Sequence, residues 1–209
     1  MSAPSDPPAA APIAIVGPHL TDGDFTVKDV EGNDVFRVKG VIFSMRGKRV
    51  LEDAVGNPLI TMQQKLWSAH SWWNVFRGDS IDDSDLLFTA KRSSLFQLKT
   101  KLDVFLAANT KDDVCDFRVK GSYLESSCII YQGDSSVIVA QMKKYTVKSM
   151  ILGKDSFGVT IYPNVDHAFI VALIVILDEI NKESGGGSSI DTFVACVHNV
   201  KSLDNVCKS

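Results

Sequence analysis

Most of the strings that announce a chemistry are missing from this 209-residue chain. It contains no CxxC pair, no HExxH, no GxSxG and no P-loop. The four cysteines, Cys115, Cys128, Cys196 and Cys207, lack the spacing of metal ligands. With no secretory signal ahead of them, they read as reduced thiols of an intracellular protein. The four histidines, His19, His70, His167 and His198, are scattered. Their spacing predicts no metal site, no cofactor and no catalytic centre, and His167 reads as a neighbour of a helix cap. A large excess of charge is absent as well. The formal net charge is −3 with pI near 5.8. Global attraction to nucleic acid is therefore not expected, and anion binding would need a local patch.

A membrane-length apolar run is also lacking. The longest is AFIVALIVIL at 168–177, bounded by Asp166 and His167 before and by Asp178 and Glu179 after. A transmembrane helix needs about 20 apolar residues, so this run is too short to span. Its flanks suit a helix over 165–183. Asn164 is a good N-cap, Asp166 would complement the positive helix end, and Gly185-Gly-Gly187 would stop the chain. A helix that is apolar around its circumference has to be enclosed by protein.

Elsewhere, short runs rich in Val, Ile, Phe, Leu and Tyr alternate with turns of Gly, Asn and Asp. Eleven or twelve strands at hairpin spacing predict an antiparallel sandwich or barrel. Alternation supports this over 95–106, where Phe96, Leu98, Leu102 and Val104 share one face and Gln97, Lys99, Lys101 and Asp103 the other. The string VFRVKG at 35–40 is echoed by DFRVKG at 116–121, which suggests two similar halves. The predicted fold is mainly β: a closed antiparallel barrel of about twelve strands enclosing a central hydrophobic C-terminal helix.

The order and spacing of KRSS (91–94), LKTKLDVFL (98–106), CDFRVKGS (115–122) and GKDSFGVTIYPN (153–164) resemble the plant LURP-one-related proteins. The likeness runs from about Leu20 to Asn181. It implies a tubby C-terminal-like fold, kinship with phospholipid scramblases, a role in plant defence and no enzymatic activity. Residues 1–19 then read as a disordered Pro/Ala-rich leader and 20–183 as the folded domain. Residues 184–209 read as a Gly/Ser linker with a weakly structured tail, which has no counterpart in the family.

The candidate site is basic. Lys91, Arg92, Lys99 and Lys101 lie in a stretch without acids, and Lys143, Lys144 and Lys148 form a second cluster. Converging cations suit phosphorylated lipid headgroups, and tubby-like domains bind phosphoinositides on basic barrel surfaces. The competing reading is a solvated strand face whose lysines protect against edge pairing. Of Trp67, Trp72 and Trp73, the adjacent pair must point to opposite faces of a strand. The functional expectation is a non-enzymatic, monomeric binding protein. It would be cytoplasmic, with membrane-peripheral or nuclear placement as alternatives. Its partner would be anionic phospholipid headgroups or another protein, and a protein scaffold or a carrier of small hydrophobic ligands are the rivals.

Overall fold

A computed structural model describes residues 13–16, 25–29, 31–40, 47–65, 72–93, 100–122, 127–145 and 156–183. Twelve strands form one sheet in chain order. They are β1 (Ile13–Val16), β2 (Phe25–Asp29), β3 (Asp34–Gly40), β4 (Arg49–Asp53), β5 (Pro58–Gln64), β6 (Trp72–Arg77), β7 (Leu86–Arg92), β8 (Thr100–Leu106), β9 (Phe117–Ser122), β10 (Ser127–Gln132), β11 (Ile138–Tyr145) and β12 (Ser156–Ile161). One helix, α1 (His167–Glu183), follows.

The expectation of a closed barrel is corrected. Every ladder joins sequence neighbours, from β1–β2 through to β11–β12, and among the described residues no ladder returns from β12 to β1. The two end strands lie near each other, with no backbone hydrogen bond between them among the described residues. The sheet is therefore open along one seam. Closure needs a matched stagger between the end strands, and β1 offers only four residues for a second ladder. Residues 13–16 also amend the expected leader, because Ile13, Ile15 and Val16 are strand formers and extend the sheet beyond β2. The tail from 184 onward lies outside the described residues.

The helix does occupy the interior. Every residue from Ile170 to Asp178 is buried, and so is Ile180. One core cluster joins them to inward residues of the strands, among them Val27, Val38, Leu51, Met62, Trp73 and Leu102. Apolar burial at about 25 cal/mol per Å² makes this the main favourable term of the fold. At its C-terminal end, Arg49 of β4 donates from one guanidinium nitrogen to both carboxylate oxygens of Glu179, at 3.1 and 3.0 Å. At its N-terminal end, Phe169 meets Phe88 edge-on at 5.0 Å and Phe117 at 4.9 Å.

The cap differs from expectation. Asn164 sits at φ +66° in the turn before the helix, a conformation Asn tolerates better than most residues. Asp166 caps instead, its Oδ1 accepting the Phe169 N–H at 3.1 Å. His167 then opens the helix and is half-buried. Burial pushes its imidazole below the usual value of 6.5, against the opposing pull of the Asp166 carboxylate.

Two hairpins repeat one turn. In DVEGN (29–33) and DAVGN (53–57), the Asp Oδ1 accepts the backbone N–H of the second and fourth residues after it, and its Oδ2 accepts the Asn amide. Gly32 and Gly56, at φ +89° and +94°, make the reversal possible. The FRVKG echo falls on β3 and β9, the third strands of the two six-strand halves.

Two measurements check this packing. A methyl group on Gly121 would lie 2.4 Å from the Ser127 carbonyl oxygen and 2.6 Å from the Cys128 Cα across the β9–β10 ladder. Backbone cannot yield as a side-chain tip can, so Gly121→Ala should cost about 1–3 kcal/mol or more in urea unfolding. His167 favours the neutral form in the fold. Its contribution to stability is complete above the unfolded pKa of about 6.5 and is lost as pH falls through the lower folded value. The melting temperature should drop between pH 7 and pH 5, and His167→Gln should flatten that drop.

Candidate functional site

Strand alternation sends Leu102, Val104 and Val119 into the core. The residues between them, Lys101, Asp103, Phe105, Arg118 and Lys120, form the outer face of β8 and β9. Trp72 and Trp73 divide as expected, with Trp73 only 1% exposed and Trp72 on the outer side. Trp67 lies outside the described residues.

Ladder register decides which cations meet. Trp72 of β6 is opposite Lys91 of β7, Lys91 is opposite Asp103 of β8, and Asp103 is opposite Arg118 of β9. The Lys91 ammonium lies 4.3 Å from the Trp72 ring centre and 4.5 Å from that of Phe105, and it pairs with Asp112 at 2.5 Å. Lys65 approaches the same indole at 4.6 Å. Cation–π attraction and an ion pair thus hold Lys91 in place and neutralise much of its charge. Arg92 is also engaged. Arg118 donates to Asp103 at 2.6 Å and pairs with Asp134. The hydrogen bond it donates to Asp103 holds the guanidinium above its ordinary pKa. Beside it, burial pushes the Cys115 thiol up.

Two residue pairs along the same ladder, on the same face, Lys101 stands directly opposite Lys120. Like charges across a strand pair destabilise a sheet. Neither lysine has a carboxylate within salt-bridge distance among the described residues. Lys120 is exposed, with its ammonium 5.1 Å from the Tyr131 ring centre. Lys101 is half-buried, and its carbonyl accepts the Ser93 N–H at 3.0 Å. On the outer face of β8 and β9, this rung sets two positive charges together and leaves them without a carboxylate partner among the described residues.

Of the cations expected from sequence, then, Lys91 and Arg92 are engaged and Lys101 is available. Lys99 and Lys148 lie outside the described residues. Lys143 and Lys144 occupy consecutive positions of β11, opposite Ser127 and Phe157. Lys143 falls two strands from β9, about 10 Å away at ordinary strand spacing. Sequence reasoning missed Lys120, although its place after Val119 in the FRVKG string put it on the outer side. Only the ladder shows that it faces Lys101. Among the described residues no group of His, Cys, Asp and Glu could hold a metal ion, and no helix is long and apolar enough to cross a membrane.

A family profile described as LURP-one-related matches residues 17–178. The chain belongs to the LURP-one-related family. That family is part of the tubby C-terminal-like superfamily, and its members are non-catalytic. Among its relatives, LURP-one-related 15 of Arabidopsis thaliana is 58% identical over 165 residues, covering 78% of this chain and 76% of the relative. LURP-one-related 10 of the same plant is 55% identical over 166 residues, covering 78% and 86%. A crystal structure of an Arabidopsis thaliana protein matches with a TM-score of 0.66 at 48% identity, covering 83% of this chain and 93% of that one. The fold of this chain is thus shared with that solved structure over most of both chains.

Proposed function

We propose that this LURP-one-related chain binds anionic phospholipid headgroups, phosphoinositides above all, through the outer face of β8 and β9, and that it does so in plant defence or stress signalling. The single observation behind this reading is the unmatched pair Lys101 and Lys120, opposed across one ladder rung. A phosphate placed between two ammonium groups relieves their repulsion and takes a hydrogen bond from each. The aromatic surface of Trp72 and Phe105 lies nearby, with Lys91 fixed on it. Aromatic rings of this kind suit the headgroup level of a membrane. A carrier for small hydrophobic ligands is less well supported, because α1 fills the interior that such a carrier would need empty.

Sedimentation with vesicles containing phosphatidylinositol phosphates checks the proposal. Each cation near an anionic surface contributes about 1 kcal/mol. The double variant Lys101→Gln/Lys120→Gln should therefore bind about 30-fold more weakly, with a melting temperature no lower than that of the original chain, since the like-charge repulsion is gone. Binding by the unaltered chain should fall as salt rises. A folded double variant that sediments like the original would refute the proposal.

A further inference from the structure

In a sheet whose antiparallel strands pair in chain order, successive turns alternate between two ends. The β6–β7 and β10–β11 turns and the link from β12 to α1 therefore lie at the same end, where the helix begins. A groove of about 660 Å³ opens there. That size is ordinary for a ligand site. Its floor is apolar, made by Ile60, Phe88, Phe117 and Phe169. Leu106 and Val137 also line it and remain 37% and 53% exposed, more than large apolar side chains need be if nothing covers them.

Among the described residues, the charged side chain that lines this groove is an acid, beside the neutral polar Gln132, Tyr162 and Asn164. Asp166 lines it on the helix side. The β6–β7 turn, which leads directly into the groove residue Leu87, carries Asp79, Asp82, Asp83 and Asp85 against the single cation Arg77. None of these aspartates has a cation within salt-bridge distance among the described residues. The positive end of α1 offers no attraction for an anion, because the Asp166 carboxylate already occupies it. Fatty acids and anionic lipids are thus repelled, and a neutral apolar ligand would leave the carboxylates without a role. The occupant that matches both features carries an apolar side chain flanked by cations.

We propose that this groove docks a basic amphipathic segment of a partner protein. One Leu- or Phe-sized side chain rests on the Phe88–Phe117–Phe169 floor, and neighbouring Lys or Arg residues face Asp166 on one side and the β6–β7 aspartates on the other. This surface is separate from the Lys101–Lys120 pair and opposite to it in charge, so one chain can hold an anionic surface and a cationic partner at once.

The test uses the full chain and three fluorescein-labelled twelve-residue peptides in anisotropy titrations at low salt. The first peptide alternates Lys with Leu, the second replaces every Leu by Ser, and the third replaces every Lys by Glu. The Lys/Leu peptide should bind and the other two should bind at least tenfold more weakly. Val137→Arg, which sets a cation on the groove wall, should weaken the Lys/Leu peptide about tenfold or more. Asp82→Asn/Asp83→Asn, on exposed turn residues, should weaken it less and reduce its salt dependence. Lys101→Gln/Lys120→Gln should leave it unchanged, which separates this site from the headgroup site. Thermal melts confirm that each variant is folded, and the Asn double variant serves if Val137→Arg is not. Absence of binding, equal binding of the Ser peptide, tighter binding of the Glu peptide, or undiminished binding by the folded groove variants would each overturn the proposal.

Discussion

A helix with no polar side cannot stand in water, and that constraint orders the rest of this molecule. From Ile170 to Leu177 side-chain type barely varies around the helix circumference, so no single layer of protein could cover it. The sheet responds by curling round it. Each strand from β2 to β12 contributes inward residues to one continuous core. The register of each strand is fixed by this demand, because a slip of one residue would turn its apolar face outward. The Arg49–Glu179 pair and the Phe88–Phe169–Phe117 contacts fix the helix at its two ends.

The same register governs the outside. Once Leu102 and Val119 must face the helix, Lys101 and Lys120 must face away, and the β8–β9 ladder sets them opposite each other. A repulsive pair on an otherwise well-compensated face is a local cost that the fold does not require. Asp103 and Arg118, the next outward-facing pair of the same ladder, show the compensated alternative. The chain-order meander has a second consequence. It gathers the β6–β7 aspartates and Asp166 at the end where the helix begins, beside an uncovered apolar groove. Cationic and anionic surfaces come to lie apart on a chain whose formal net charge is only −3.

Much of this is legible in the residues. The run at 168–177 demands an enclosed helix, alternation places Leu102 and Val104 inside, and the Trp72–Trp73 pair splits across the sheet as a strand requires. What cannot be read there depends on contacts distant in sequence. Strand number suggests closure, yet closure is decided by whether β1 and β12 share a ladder, and they do not. Asn164 and Asp166 are both capable caps, and only the turn geometry selects Asp166. In the sequence Lys91 looks available, but its partners Asp112, Trp72 and Phe105 are set by register and by a loop conformation. The groove is invisible in the chain because its lining comes from separate elements between Ile60 and Phe169.

The claim on which the account rests is that α1 forms the middle of the core. Native-state hydrogen exchange measures this directly. The amides from Leu173 to Ile180 should be among the slowest in the chain, exchanging only through global unfolding, with a denaturant dependence equal to that of the whole domain. Exchange of those amides through a low-energy local opening, while the strands stay protected, would contradict a sheet wrapped around its own helix.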